Sequence, residues 1–333
     1  MLPRVFLAAA IAAALPLGAA QRRGAVAFHY GPALSAEQLR WFGRFDVLVT
    51  HDPLPKEQVR TLHAGGTKLA LYEWSVAFYR TLAGPGSWQE GVLRGGRREL
   101  LNRKALRGFA GAGDADAFYY DPANSAHATK RARAIGERLR AIGYDGVFLD
   151  TTTAESVHPE ALAEYRRRHP DLAYDAAFAR FLKVLRKELA VIVTNQGYRA
   201  AEHYLPYADY DVTESLLTRP WHDADRWNSV DFLVPELIVG AARRYPHVKF
   251  VHLNYADDAR QIETIVATAR LFDQDAYVTA HDVTRTLFSD LYFADLGKPL
   301  GDIRRDGLTA TRKFERGEVI VSPDGGRIVR AVP

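Results

Sequence analysis

Eight short, strongly apolar segments recur along the 333-residue chain, and helix-forming segments separate them. Near-continuous apolar runs of this length are typical of parallel strands that are buried on both faces. Eight such strands alternating with helices predict a (β/α)8 TIM barrel. A doubly wound open sheet is the alternative, but no glycine-rich phosphate loop follows the first strand. The predicted strands are 25–30, 46–50, 68–72, 146–150, 190–195, 210–214, 249–254 and 276–280.

Helix-forming segments lie between the predicted strands. Ser35 and Gln38 form a capping-box pattern that begins the first helix, and Pro55 opens the second. We therefore predict one barrel domain over residues 21–300. The later predicted helices are 125–142, 159–187 with an interruption at Pro170, 198–205, 231–244, 259–273 and 283–295.

Two segments depart from a minimal barrel. Residues 75–117, which follow the third strand, are rich in glycine and arginine and only weakly periodic. A long loop after a barrel strand lies on the catalytic face, so we expect a wall or lid of the cleft there. Near the C-terminus, strand-like segments on either side of Asp324 and Gly325 predict a β-hairpin. We assign this hairpin to a short C-terminal β appendage over residues 301–333.

The first 20 residues have the pattern of a secretory signal peptide. Arg4 precedes the apolar run 5–15, and the segment ends in small residues at Ala19 and Ala20. The apolar run is shorter than the roughly 20 residues that span a bilayer. We therefore expect cleavage, no stable membrane insertion afterwards, and a secreted or periplasmic location in a bacterium. An uncleaved membrane anchor is the alternative.

Composition excludes several classes of function. The chain contains no cysteine, which excludes disulfides, thiolate metal sites and a cysteine nucleophile. The formal net charge is +4, but the charged residues are interspersed rather than grouped, so we predict no nucleic-acid partner. No nucleotide-binding motif is present, and we predict no cofactor.

The ends of the predicted strands carry two prominent carboxylates. Asp150 ends the most apolar strand of the chain, and Glu214 ends the sixth strand. Active sites of (β/α)8 barrels lie at the carboxyl ends of the strands, and strands four and six contribute side chains to common layers. Two facing carboxylates are what glycosidic cleavage requires, because one protonates the leaving oxygen while the other attacks the sugar or activates water. We predict Asp150 and Glu214 as the catalytic pair, with loop capping or salt bridges as the alternative role.

Other strand ends supply candidate substrate contacts. Aromatic rings offer apolar faces on which a pyranose can stack, although packing is the more common role of such residues. Asn195 can hydrogen-bond a sugar hydroxyl or serve as a turn residue at the strand end. The remaining candidates are polar residues at strand ends. The complete set of predicted substrate-binding residues is Tyr30, Asp52, Tyr72, Glu73, Trp74, Asn195, Tyr255 and His281.

Histidines near the strand ends raise the possibility of a metal site, namely His29, His51, His252 and His281. However, the first strand carries no H-x-H pair, and the fifth strand ends in Asn195. Ligation requires three or four convergent side chains. We therefore predict no metal, and a metal-dependent hydrolase is the least favoured reading.

The segment that ends at Asp150 resembles a known family. Residues 143–150, GYDGVFLD, are similar to the fourth-strand signature of the family-114 glycoside hydrolases, the endo-α-1,4-polygalactosaminidases, and of related barrel families. Segments 118–124 (FYYDPAN), 193–197 (VTNQG) and 211–215 (DVTES) are similar to neighbouring parts of the same family. The resemblance covers most of residues 25–290, and the fourth-strand motif is its most specific part.

This resemblance implies a retaining (β/α)8 glycosidase in which Asp150 is the nucleophile and Glu214 the acid/base. Family members commonly carry a second acidic residue three positions after the nucleophile, where this chain has Thr153, so the sugar is left open. We predict an exported glycoside hydrolase that cleaves a polysaccharide, with an amino-sugar-containing exopolysaccharide as one candidate. A non-catalytic glycan-binding barrel is the alternative from another class.

Overall fold

The computed structural model describes residues 22–82, 87–95, 99–106, 116–215, 217 and 233–330, and the predicted signal peptide lies outside this range. The described strands, in chain order, are β1 (Gly24–His29), β2 (Phe45–Thr50), β3 (Lys68–Trp74), β4 (Ala77–Tyr79), β5 (Ala117–Tyr119), β6 (Gly146–Asp150), β7 (Val191–Asn195), β8 (Tyr210–Glu214), β9 (Lys249–Tyr255), β10 (Asp275–Thr279), β11 (Arg304–Asp306), β12 (Thr309–Phe314), β13 (Gly317–Ser322) and β14 (Gly325–Arg330).

Eight of these strands form one parallel sheet in the order β1-β2-β3-β6-β7-β8-β9-β10. The first and last strands of this order, β1 and β10, lie side by side. The Tyr277 hydroxyl on β10 donates a hydrogen bond to the Phe28 carbonyl on β1 at 3.0 Å. The sheet therefore curls into a nearly closed barrel. The predicted (β/α)8 architecture is confirmed.

Most of the described helices surround this sheet. The described helices are α1 (Ala36–Phe42), α2 (Lys56–Ala64), α3 (Trp88–Arg94), α4 (Ser125–Ile142), α5 (Pro159–Arg168), α6 (Tyr174–Glu188), α7 (Ala201–Tyr204), α8 (Leu233–Arg244) and α9 (Ala259–Leu271). Helix α3 lies beside the sheet. The capping box at Ser35 and Gln38 is present, with the two reciprocal hydrogen bonds that the pattern predicts.

The predicted helix over 283–295 is wrong. The segment is irregular apart from a short 3-10 turn over Asp290–Phe293. Its aromatic residues pack individually against Trp41, with ring centroids 5.3 Å away for Phe288 and 5.9 Å for Tyr292. Their spacing therefore reflects separate contacts with α1 rather than one face of a helix.

Two glycines explain the motif that leads to Asp150. Gly143 ends α4 with a left-handed backbone, φ 79°, which glycine adopts without steric cost. A Cβ at Gly146 would lie 2.1 Å from the Val191 carbonyl oxygen. Because there is no room for a side chain, the close approach of β6 to β7 requires glycine at this position. This motif therefore fixes where β6 begins and how closely it lies against β7.

The interior of the barrel below the strand ends is aromatic. The Phe28 ring lies edge-on to Phe148 at 5.3 Å between centroids and 5.8 Å from Tyr277. Phe148 stands two residues before Asp150, and residues two apart on a strand face the same side. The candidate catalytic carboxylate therefore lies directly above a packed apolar layer.

The long segment after β3 contains a small folded unit. Strands β4 and β5 pair antiparallel, and a satellite core joins them to α3 and the following chain. That core consists of Phe78, Val92, Leu100, Phe118 and Tyr120. The described part of 75–117 is thus a packed wall beside the barrel, while residues 83–86, 96–98 and 107–115 lie outside the described range.

The C-terminal appendage is larger than the predicted hairpin. Strands β11 to β14 form one four-stranded antiparallel sheet, which includes the predicted turn before Gly325. The sheet packs on α9 so closely that a Cβ at Gly326 would lie 2.9 Å from the Ala267 side chain. Its core merges with the helix, because Phe314, Val319 and Val321 cluster with Leu271 and Phe272.

Candidate active site

Three neighbouring strands each end in a polar residue. Asp150 ends β6, Asn195 ends β7 and Glu214 ends β8, and these strands pair in that order. The side chains therefore converge at the same mouth of the barrel, where active sites of this fold lie.

The backbone turns in the same way after each of these residues. Thr151, Gln196 and Ser215 all have a left-handed backbone, with φ of 53°, 59° and 59°. Non-glycine residues seldom adopt this conformation, and such residues cluster at functional sites.

The Asn195 side chain joins the two carboxylates. Its amide nitrogen Nδ2 donates to Asp150 Oδ1 at 2.7 Å and to Glu214 Oε2 at 2.9 Å. These two oxygens therefore cannot lie farther apart than the sum of the two hydrogen-bond lengths, about 5.6 Å. The predicted pair does face across the mouth, bridged by a residue that was predicted as a substrate contact.

Two tyrosines hold the remaining carboxylate oxygens. The Tyr72 hydroxyl donates to Asp150 Oδ2 at 2.8 Å, and the Tyr255 hydroxyl donates to Glu214 Oε1 at 2.6 Å. Both tyrosines were predicted as sugar-stacking platforms. The structure places their hydroxyls on the carboxylates.

Burial makes both carboxyl groups weaker acids. It raises the pKa of Asp150, and the hydrogen bonds from Asn195 and Tyr72 offset part of that effect. Burial also raises the pKa of Glu214, the negative charge of Asp150 raises it further, and the bonds from Tyr255 and Asn195 oppose both effects. Among the described residues, no arginine or lysine forms an ion pair with either carboxylate. The charge of Asp150 thus disfavours ionisation of Glu214 beside it.

A stack of three rings forms one side of the mouth. His51 lies between two tyrosine rings, with centroids 4.2 Å from Tyr30 and 4.2 Å from Tyr72. Burial lowers the pKa of His51 to about 4, so its imidazole is neutral at neutral pH. The Tyr30 hydroxyl is hydrogen-bonded to Tyr255. The sequence indicates His51 only as a candidate metal ligand, and its packing role follows from the geometry of the stack.

A second aromatic pair lies on the neighbouring wall. Trp74 stacks on Tyr79 with 4.2 Å between centroids, and the pKa of Tyr79 is raised by burial and by the charge of Asp150. Trp74 was among the predicted residues, whereas Tyr79 was not. The apolar triplet 77–79 within the irregular segment was the only signal for it.

The main chain of Asp150 is also anchored. The Ser75 amide and hydroxyl both donate to the Asp150 carbonyl, at 3.1 Å and 2.6 Å. Buried Arg131 on α4 donates in turn to the Ser75 carbonyl at 2.6 Å. Neither residue can be predicted from the sequence, because a long-range contact to a backbone carbonyl leaves no local pattern.

Three of the predicted substrate contacts lie away from the carboxylates. Glu73 pairs with Arg138 at 2.7 Å, on the side of β3 that faces α4, because successive strand residues face opposite sides. Asp52 is exposed in the loop after β2. His281 lies at the rim, where its Nδ1 contacts Asp257 at 2.9 Å.

The part of the chain that the structure describes contains no group of three or more histidine or acidic side chains arranged to hold a metal ion. Within the same residues, no helix is long and apolar enough to cross a membrane.

Solved structures share this fold. No protein-family model matches the sequence, and no curated protein matches it significantly. The glycoside hydrolase domain of PelA from Pseudomonas aeruginosa is similar at 23% identity and a TM-score of 0.54, over 79% of this chain and 96% of that one. Ega3 from Aspergillus fumigatus, in complex with galactosamine, has 10% identity and a TM-score of 0.51, over 79% and 93%. The α-N-acetylgalactosaminidase NagBb from Bifidobacterium bifidum has 12% identity and a TM-score of 0.52, over 92% and 57%. At these identities, the likeness establishes a common barrel fold.

Proposed function

We propose that the protein is a glycoside hydrolase that uses Asp150 and Glu214 in a retaining mechanism. The observation that carries this proposal is the bridged pair of carboxylates, whose nearest oxygens lie within about 5.6 Å. Retaining glycosidases hold their two carboxyl groups about 5–5.5 Å apart, whereas inverting enzymes leave about 6.5–9.5 Å for a water molecule. The barrel fold shared with several glycoside hydrolases supports the same class.

In this mechanism, Asp150 attacks the anomeric carbon. Glu214 donates its proton to the leaving glycosidic oxygen and then removes a proton from the water that releases the sugar from Asp150. As the nucleophile, Asp150 acts in its ionised form. Its charge then raises the pKa of Glu214, as an acid catalyst requires.

The proposed substrate is a polysaccharide, with amino-sugar-containing exopolysaccharides as the first to examine. Ega3 is crystallised with galactosamine. The partly buried rings of Tyr30, Tyr72 and Tyr79 lie near the carboxylates, where they can contact a pyranose. Thr153 is buried, and it stands where members of the family that the sequence resembles commonly have a further acidic residue. Polysaccharides with less positive charge than polygalactosamine are therefore also candidate substrates.

We also propose that the protein is exported, on the basis of the residue pattern in 1–20. Expression of the full chain in a Gram-negative host and mass determination of the periplasmic protein test this. Loss of about 20 residues supports export, and an intact N-terminus in the membrane fraction supports an anchor.

The function is tested by release of reducing ends from a panel of bacterial exopolysaccharides, including galactosamine-rich ones. The wild type is compared with Asp150→Asn and, as an amide control, with Glu188→Gln at the carboxyl end of α6. Release by wild type and control but not by Asp150→Asn supports the glycosidase and identifies its substrate class. Retention of one glycan by all three proteins without any release supports a glycan-binding barrel instead.

A further inference from the structure

The Asn195 side chain has no group free for a sugar. Both hydrogens of its amide nitrogen are used, one on Asp150 Oδ1 and one on Glu214 Oε2. Its carbonyl oxygen Oδ1 is enclosed by protein and has no hydrogen-bond partner among the described residues. A residue with committed donors and an inaccessible acceptor cannot recognise a hydroxyl without leaving the carboxylates.

The orientation of this amide is fixed by charge. Turning the group over would place its carbonyl oxygen against two carboxylates, and two acceptors that face each other repel. Thr152 also donates from its hydroxyl to the Asn195 main-chain carbonyl at 2.8 Å. The next residue, Gln196, has a left-handed backbone, and its main-chain amide donates to the Val212 carbonyl at 2.7 Å. The strand end is thus held on both sides of Asn195.

We propose that Asn195 is a positioning residue that holds the two carboxylates at their working separation, rather than a substrate ligand. The assignment rests on the glycosidase proposed above. Among the described residues, Asn195 is the one whose hydrogen bonds reach both carboxylates. The Asn195 amide is neutral. It therefore holds the two acidic groups together without the positive charge that would stabilise the ionised form of both.

Removal of Asn195 changes both carboxyl groups in one direction. A donor to a carboxylate stabilises its ionised form, so its loss raises the pKa of Asp150 and of Glu214. Tyr72 and Tyr255 already donate to the other carboxylate oxygens, so their bonds do not replace those of Asn195. The other described titratable groups that act on this pair are four tyrosines. They are Tyr30, Tyr72, Tyr79 and Tyr255.

The test follows the carboxyl titrations directly, without substrate. Protein with ¹³C-labelled aspartate and glutamate side chains is titrated by NMR, and the two signals are assigned through Asp150→Asn and Glu214→Gln. We expect Asn195→Ala to raise both midpoints. Asn102→Ala removes another buried asparagine that bonds only to backbone atoms, and it should raise neither. Midpoints that stay in place, or a shift of only one, would overturn the proposal.

A second variant keeps the test decisive if Asn195→Ala does not fold. Asn195→Leu has nearly the same shape but no hydrogen-bond donor, and we expect it to raise both midpoints as alanine does.

Kinetics distinguish positioning from sugar contact once a substrate is known. A positioning role predicts that Asn195→Ala lowers kcat at least tenfold and moves the pH profile, with KM within about twofold of wild type. A higher KM with an unchanged pH profile would assign Asn195 to the substrate and overturn the proposal. If no glycan is cleaved but both midpoints move, the proposed function fails while the positioning role stands.

Discussion

Every oxygen of the two carboxylates accepts a hydrogen bond, and every donor is neutral. Asn195 supplies two of these bonds, and Tyr72 and Tyr255 supply one each. Neutral donors satisfy buried oxygens without cancelling their charge, so burial still raises the pKa of both groups. The donors around Asp150 and Glu214 therefore contribute to the pKa of both groups.

Substitutions of Tyr72 and Tyr255 should move opposite limbs of the pH profile of kcat/KM. Tyr72→Phe removes a donor from the nucleophile Asp150, which raises its pKa and should move the acidic limb of kcat/KM to higher pH. Tyr255→Phe removes a donor from the acid Glu214, which should move the alkaline limb to higher pH. Each loss should also reduce kcat/KM at the optimum by roughly ten- to a hundredfold, as for a hydrogen bond to a charged group. Profiles in which both variants move the same limb would contradict the assignment of roles.

At the scale of elements, the site depends on how three strands end. The left-handed residues after Asp150, Asn195 and Glu214 redirect the chain as soon as each strand has delivered its side chain to the mouth. A left-handed backbone costs a non-glycine residue roughly 1–2 kcal/mol. The surrounding contacts must therefore impose this conformation.

Substitutions at Gln196 test this turn. Gln196→Gly removes the steric cost and should leave the free energy of unfolding within about 1 kcal/mol of wild type. Gln196→Val places a β-branched residue in the same conformation and should cost at least about 2 kcal/mol. Urea unfolding of the two variants measures the difference. Equal stabilities would show that the left-handed turn is not under strain.

Asp211 organises the turn after β7. It is buried, and it accepts hydrogen bonds from the Thr194 hydroxyl at 2.6 Å and from the Gly197 and Tyr198 amides at 2.7 and 2.9 Å. Burial raises the pKa of Asp211 to about 7, against the opposing effect of these donors. A raised pKa in the folded state contributes stability below the unfolded pKa of about 3.9, and this contribution disappears as the pH rises through about 7.

We therefore expect the free energy of unfolding to fall between pH 4 and pH 7 more steeply in the wild type than in Asp211→Asn. Denaturant unfolding at a series of pH values measures both slopes. Asp150 and Glu214 affect the pH dependence of the free energy of unfolding equally in both proteins. The difference between the two slopes therefore reports Asp211 alone. Parallel slopes would contradict a raised pKa.

At the scale of the whole molecule, the C-terminal sheet is part of the barrel's outer layer. Helix α9 is buried along nearly its whole length, from Ile262 to Leu271, because the barrel covers one side and β13 and β14 cover the other. The sheet therefore shields a helix that the barrel alone would leave half exposed.

This arrangement predicts one cooperative unfolding transition. Phe314→Ala removes a buried ring from the shared core and should reduce the free energy of unfolding by about 3–5 kcal/mol. Fluorescence and circular dichroism should report the same lowered midpoint. A separate early transition of the sheet, with the barrel unchanged, would show that the appendage unfolds independently.

The sequence predicts the parts of this molecule that depend on local pattern. Apolar runs and capping residues located the barrel strands and most helices, and strand parity placed Asp150 opposite Glu214. Glu73 was predicted at the mouth because it lies near a strand end, yet side-chain alternation directs it to α4. The packing of His51 between two tyrosine rings and the approach of Tyr79 from an irregular segment depend on long-range contacts, which leave no periodic signal.

Mass spectrometry of a trapped intermediate tests whether Asp150 is the nucleophile and Glu214 the acid/base. Glu214→Gln is incubated with a substrate of the identified sugar that carries an activated leaving group, so that the first step proceeds without the acid while the second is slow. We expect a mass increase of one glycosyl unit on the peptide that contains Asp150, and no increase in the Asp150→Asn/Glu214→Gln double variant. An adduct on another residue, or hydrolysis with inversion and no adduct, would contradict it.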